Sequence, residues 1–215
     1  KINRIKEINN KSDYELIINN IKKFFNKISL TNYSKLKNEL LYYYKYIYEN
    51  EKNINISDLN LYIFESLAYN NVLFNNLYAD LLYNLIDINS NFADILNKNL
   101  EIFCYIYKYL LLTQSKDYND ITNVNKNNDK YEAFTLFYIH CFKLDIIPLQ
   151  IVLDAIRNLQ IELENNITLD DKKGYNELLT RFIFVSVSNI SLKDDNSLLI
   201  NNLKYISNLK NTSYP

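Results

Sequence analysis

Apolar residues recur every three or four positions along most of the chain, the spacing that places them on one face of a helix. The first such stripe follows Asp13, a residue type that caps helix N-termini, and consists of Ile17, Ile21, Phe24 and Ile28. Similar stripes open after Thr31 or Asn32, after Ser57 and after Ser90, and another covers 74–85. Four more helices are expected at 130–143, from Pro148, at 175–190 and at 196–209. The pattern predicts nine helices.

Two polar stretches interrupt this pattern and predict loops. The longer one, TQSKDYNDITNVNKNN over 113–128, has no periodic apolar positions and is expected to be the one long loop. The shorter one covers 163–174 and contains the only glycine. We therefore expect a single domain over 13–210, preceded by a flank at 1–12.

The composition favours an all-α fold. With one glycine and two prolines in 215 residues, the chain lacks the turn residues that a sheet-rich protein needs. Helices joined by short corners pack as antiparallel pairs, and a series of such pairs stacks into an α-solenoid of about nine or ten helices. A compact helical bundle fits the same pattern and is the main alternative.

The charge is nearly balanced overall but uneven along the chain. The net charge is −1, whereas 1–37 contains nine Lys or Arg against three Asp or Glu, a net of +6. A basic end attracts polyanions, so we expect weak, salt-dependent RNA binding. The candidate residues are Lys22, Lys23, Lys35 and Lys37. The simpler interpretation of these lysines is a set of solvated helix faces.

The remaining composition indicates a cytoplasmic protein. Cys104 and Cys141 are far apart and lie among apolar residues, which predicts buried thiols in a reducing compartment. No apolar run approaches the roughly 18 residues that a membrane span needs, so no membrane partner is expected. Heavy use of Asn, Ile, Lys and Tyr is typical of an AT-rich genome, such as that of a parasite or a giant DNA virus. If the source is a virus, the protein is expected in a viral factory within the host cytoplasm.

The sequence offers little catalytic chemistry. His140 is the only histidine. On a helix, the side chain of its neighbour Cys141 points about 100° away from that of His140, so the two do not face each other. The doublets at 170–171 and 194–195 lack a third aspartate for magnesium, and acidic residues at helix starts account for them. A single glycine excludes a phosphate-binding glycine-rich loop. We therefore expect no enzyme activity, no cofactor and no metal, with an all-helical enzyme as a distant alternative.

Four blocks of the sequence resemble the middle domain of translation initiation factor 4 gamma. They occur in the family's order and at near-family spacing, and they cover most of 15–190. The blocks are FFNKISLTNYSKLKNELL (24–41), IFESLAYNNVLFNNLYADLL (63–82), HCFKLDIIP (140–148) and YNELLTRFIFVSVSNI (175–190). In the second block, Phe64, Glu65, Phe74, Tyr78, Ala79 and Leu81 match the family pattern.

The resemblance implies a fold, a partner and contact residues. The family fold consists of five antiparallel helix pairs of the HEAT type. The domain binds a DEAD-box RNA helicase of the initiation factor 4A type and holds its two lobes half closed, which speeds ATP turnover. One family contact region lies at the corner of the first pair, so we expect helicase contacts from Asn26, Lys27 and Leu30, and from Asn70 and Asn71 at the second corner.

The chain also departs from the family pattern. It has no tryptophan, the Glu-Pro of the second block is missing, and NKNNDKYEAF (125–134) replaces a basic run. A motif of the form YxxxxLφ, which binds the cap-binding protein in this family, occurs at 105–111 and 131–137, but both copies lie on predicted core helices. The cap-binding protein is therefore expected to bind outside this chain. The alternatives are a sister domain from mRNA decay, splicing or nuclear cap binding, and an unrelated helical-repeat interaction module.

Overall fold

The chain is all-helical over the residues that its structure describes, which confirms the predicted all-α class. The computed structural model describes the backbone over 2–113, 115–190, 200, 201 and 204, and the side chains over the same residues except 2–13 and 170. The α-helices are α1 (Ile2–Lys27), α2 (Tyr33–Asn50), α3 (Ile56–Ala68), α4 (Asn75–Ile88), α5 (Asn91–Lys98), α6 (Leu100–Cys104), α7 (Tyr118–Lys143), α8 (Leu149–Asn166) and α9 (Lys173–Ser188). Short 3₁₀ turns lie at Val72–Phe74, Ile106–Tyr109 and Asp170–Lys172.

The long loop predicted over 113–128 is wrong for most of its length, because α7 begins at Tyr118. Asp117 caps this helix: its carboxylate accepts hydrogen bonds from the backbone N–H groups of Asn119 and Asp120. The first turns of α7 are exposed on most sides, so they carry no apolar stripe that periodicity could detect. The second predicted loop is also shorter than expected, since α9 begins at Lys173.

Two other boundaries differ from the prediction. The segment expected as a flank at 1–12 belongs to α1 from Ile2 onward, so Asp13 lies inside a helix. The helix expected to begin after Ser90 is divided into α5, α6 and a 3₁₀ turn. The break falls at Asn99, whose backbone N–H donates to the carbonyls of Ile95 and Leu96 and whose side chain also donates to Ile95. The helix predicted at 196–209 falls largely outside the described residues.

Contacts between the helices follow a regular order. Within pairs, α1 packs on α2, α3 on α4, α6 on α7, and α8 on α9. Between pairs, one set of contacts joins α1 to α3, α3 to α5, and α6 to α8. A second set joins α2 to α4, α4 to α7, and α7 to α9. Further contacts join α3 to α7, α4 to α5 and α7 to α8, and both stacked helix pairs and a compact bundle contain contacts of these kinds.

The core is centred on the second half of α7. All residues from Glu132 to Ile139 are buried, because this segment is surrounded by α3, α4, α6, α8 and α9. Its tyrosine, Tyr138, donates a hydrogen bond to the carbonyl of Leu96 at 2.8 Å, which satisfies its buried hydroxyl. Cys141 is buried as predicted, whereas Cys104 is half-buried.

A second buried hydrogen-bond network joins α2, α3 and the α4–α5 corner. The hydroxyl of Tyr44 donates to Asn60 Oδ1 at 2.7 Å and accepts from Asn89 Nδ2 at 2.9 Å. Asn60 Nδ2 in turn donates to Asn91 Oδ1 at 2.9 Å. Neither Tyr44 nor Asn60 is accessible to water, so each polar group depends on the other for a partner.

Among the described residues, no helix is long and apolar enough to cross a membrane.

Candidate partner-binding surface

The first corner, between α1 and α2, is fixed by one side chain. Asn32 accepts a hydrogen bond from the backbone N–H of Ser29 and donates one to the carbonyl of Lys27, both at 2.8 Å. Ile28 is buried and anchors the corner, while Leu30 is 74% exposed. Asn26 and Lys27 are also exposed. All three predicted contact residues of the first corner are therefore exposed to solvent.

The second corner, between α3 and α4, is fixed in a similar way. Asn70 Oδ1 accepts a hydrogen bond from the backbone N–H of Asn71, and Asn71 Oδ1 accepts one from that of Leu73, both at 2.9 Å. The preceding residue, Tyr69, stacks on Phe134 of the core with ring centroids 4.7 Å apart. Asn70 and Asn71 are exposed at this turn, as a contact residue must be.

The structure brings the two corners together. Asn26 and Asn70 line one open groove between the C-terminal ends of α1 and α3, which we call the corner groove. Lys22, Tyr62, Glu65 and Tyr69 also line it. Lys27 lies apart from these residues, in a second groove between α1 and α2 that also contains Lys23 and Tyr43. Adjacent residues of a helix point about 100° apart, which explains why Asn26 and Lys27 face different grooves.

The four candidate RNA-binding lysines do not form one surface. Lys22 faces the corner groove and Lys23 the groove between α1 and α2. Lys35 is exposed, with its ammonium 3.8 Å from Glu39 on the same helix. Lys37 is only 22% exposed and forms a salt bridge of 2.9 Å with Asp80 of α4. Its charge is already compensated within the protein.

An ion-pair cluster lies where α7 faces α9. Arg181 pairs with the carboxylate of Glu132 and lies 3.4 Å from that of Asp129. Burial raises the pKa of Glu132 even though the charge of Arg181 opposes that shift. This cluster was not predictable from the sequence, because residues so far apart along the chain give no local signal of their proximity.

The His140–Cys141 pair lacks an activated nucleophile. Burial, assisted by the charge of Lys143, lowers the pKa of His140 to about 4. Burial likewise raises the pKa of the Cys141 thiol. At neutral pH both groups are uncharged, whereas a cysteine nucleophile acts as the thiolate. Within the part of the chain that the structure describes, no group of three or more His, Cys, Asp or Glu could hold a metal ion.

The two copies of the YxxxxLφ motif differ in their accessibility. At 131–137, Leu136 and Phe137 are buried inside α7, so this copy cannot dock on a partner without unfolding the helix. At 105–111, Leu110 is buried, while Leu111 is exposed. Asp194 and Asp195, the second acidic doublet, lie outside the described residues.

No protein-family model, curated protein or solved structure matches the chain. The resemblance to the initiation-factor family therefore depends on the four sequence blocks.

Proposed function

We propose that this chain is a scaffold domain of the translation initiation factor 4 gamma type, a HEAT-like solenoid that binds and activates a DEAD-box helicase. The observation that supports this best is the adjacency of the first two corners. Asn26 and Asn70, expected contact residues from different helix pairs, line the same groove. The order of helix contacts also agrees with stacked pairs.

The second sequence block supports the fold more than the partner. Phe64, Tyr78, Ala79 and Leu81, which match the family pattern, are all buried. Such residues specify how α3 and α4 pack, and a family of the same fold with another partner would need them too. The exposed residues of the corners are therefore the ones that a binding experiment has to test.

A scaffold of this kind needs no catalytic group. It accelerates ATP turnover by binding the half-closed, active arrangement of the helicase lobes more tightly than the open one, which shifts the population towards the half-closed form. If the half-closed form is populated at about one in ten, a tenfold preference of the scaffold raises it to about one half. That preference corresponds to about 1.4 kcal/mol, which a few corner contacts can supply.

Calorimetric titration with an initiation factor 4A-type helicase from the same source tests the proposal. The wild-type chain should bind and should raise RNA-dependent ATP turnover. The double variant Asn26→Ala/Lys27→Glu should weaken binding at least about tenfold, since it alters both grooves of the first corner. Lys98→Glu, an exposed substitution on α5, is the matched control and should change affinity less than about twofold.

Each result distinguishes between functions. Loss of binding in the corner variant, with unchanged circular dichroism, supports the scaffold function. A folded wild-type chain that binds no such helicase contradicts it and favours a sister domain or an unrelated interaction module. RNA binding is a separate proposal: raising the salt concentration should weaken it steeply, and an affinity independent of salt would exclude the basic N-terminal segment as its site.

A further inference from the structure

A further groove adjoins the corner groove on the other side of Tyr69 and Asn70. It lies between the second corner and α7, has a volume of about 540 Å³ and is open to solvent. Lys126 and Lys130 of α7 and Arg181 of α9 form its far wall. Tyr69 and Asn70 line both grooves, so the two adjoin, and we call them together the long groove.

The second corner presents hydrogen-bond donors to the long groove. The side-chain oxygens of Asn70 and Asn71 already accept backbone hydrogen bonds within the corner. These bonds fix the orientation of both carboxamides, since only the oxygen of an amide side chain accepts. The two Nδ2 groups are then left for a ligand. An occupant that supplies acceptors, such as a carboxylate, suits this arrangement.

The cations of the groove are also available. Among the described residues, no carboxylate lies within 4.0 Å of the ammonium groups of Lys22, Lys126 or Lys130. Lys130 is held over the ring of Tyr69, with its Nζ 4.4 Å from the ring centroid. Arg181 differs, because Asp129 and Glu132 compensate its charge. The groove therefore combines three lysines that form no salt bridge with the described residues and two oriented amide donors.

We propose that the long groove binds an acidic, extended segment of a partner protein. Carboxylates of the segment pair with Lys22, Lys126 and Lys130, and the Asn70 and Asn71 amides donate to its acceptors. Val72, which lines the groove, and Leu73 next to it expose aliphatic side chains that suit apolar residues between the acidic ones. This site does not depend on the partner being a helicase.

The walls favour a peptide over a nucleic acid. Glu65 lines the groove beside Lys22, and Asp129 and Glu132 line it beside Lys126 and Lys130. A nucleic acid carries one charge per nucleotide and would bring phosphates close to these carboxylates. A peptide can place acidic residues only opposite the lysines and neutral residues opposite the carboxylates, so charge complementarity selects the peptide.

Selection from a random dodecapeptide phage library tests this inference without any helicase present. The wild-type chain should enrich peptides with a net negative charge, and fluorescence anisotropy should show that Glu→Gln versions bind at least about tenfold more weakly. Lys126→Glu/Lys130→Glu should lower the affinity of the enriched peptides at least about tenfold, because each site changes from attraction to repulsion. Lys98→Glu should change it less than about twofold.

Several results would overturn the inference. They are the enrichment of no peptide, the enrichment of neutral or basic peptides, and equal binding of acidic peptides by the Lys126→Glu/Lys130→Glu variant. A fluorescent twelve-nucleotide uridine RNA provides the competing test. If this RNA binds in a Lys126- and Lys130-dependent way and acidic peptides do not, the groove is a nucleic-acid site instead. Failure of the helicase titration alone would leave the peptide result unaffected.

Discussion

Tyr44→Phe removes one oxygen atom from the middle of the buried network that joins α2, α3 and the α4–α5 corner. Two polar atoms then lose their partner: Asn60 Oδ1, in a side chain that is 0% exposed, and Asn89 Nδ2, in a half-buried one. An unsatisfied buried polar group costs about 1–3 kcal/mol, and water can reach the half-buried asparagine. We therefore expect a loss of about 2 kcal/mol in the free energy of unfolding. For a domain of this size that is a fall in Tm of about 5 °C.

Urea denaturation followed by circular dichroism measures this change. Tyr42→Phe, which removes the hydroxyl of a tyrosine that is 78% exposed, is the matched control and should shift the free energy by less than about 0.5 kcal/mol. Asn60→Leu should be destabilising too, but the double variant Tyr44→Phe/Asn60→Leu should lose about 1 kcal/mol less than the sum of the two single losses. A Tyr44→Phe protein as stable as the wild type, or strictly additive effects, would refute the network.

Three further predictions concern other buried groups. The pKa of His140 is about 4 in the folded chain and near 6.5 in the unfolded chain. Between these pH values the unfolded state binds more protons than the folded state. The free energy of unfolding therefore falls as the pH falls from 6.5 to 4. His140→Gln should flatten the unfolding free energy over that window, and an unchanged profile would contradict the assignment. Both side-chain polar atoms of Gln160 are buried without a hydrogen-bond partner in the described part of the chain. Gln160→Met should therefore stabilise the fold by about 1 kcal/mol in urea denaturation. A loss of stability would mean that these two atoms do have hydrogen-bond partners. Arg181→Met leaves the buried carboxylate of Glu132 without its cation and should destabilise the fold by about 2 kcal/mol at pH 7. Part of this loss should be recovered at pH 4, because burial raises the pKa of Glu132 and the carboxyl is then protonated. No change on thermal melting would contradict the pairing.

Most helices were predictable because their packing leaves a periodic trace. In the predicted stripe of α1, Ile17, Ile21 and Ile28 are buried, whereas Phe24 is half-buried and its neighbour Phe25 is buried instead. Burial against neighbouring helices requires this helical spacing, which is why the sequence predicts the helix. The first turns of α7 leave no such trace, because they are exposed on most sides. Their only local signal is the helix cap Asp117, and many other polar residues of the same stretch are equally plausible caps from sequence alone.

The candidate surface was predictable only in part. The resemblance pointed to both corners, and their residues are exposed, but no sequence feature showed that Asn26 and Asn70 share a groove. The same holds for Lys126 and Lys130, which belong to the segment expected as a loop or as the start of a helix, and which lie opposite the second corner. Proximity of this kind arises from the stacking of whole helix pairs, so it becomes visible only when their relative positions are known.

The order of helix contacts has a consequence for how the chain folds during its synthesis. Each pair packs on the next one along the chain, so few contacts have to wait for a distant segment. Folds with such local contacts form quickly, since little loop-closure entropy opposes them. The first two pairs, α1 to α4, can therefore assemble on each other while α8 and α9 are still being translated. Both corners of the corner groove belong to those pairs, but its Tyr69 stacks on Phe134 of α7, so this part of the surface is complete only once α7 has been made.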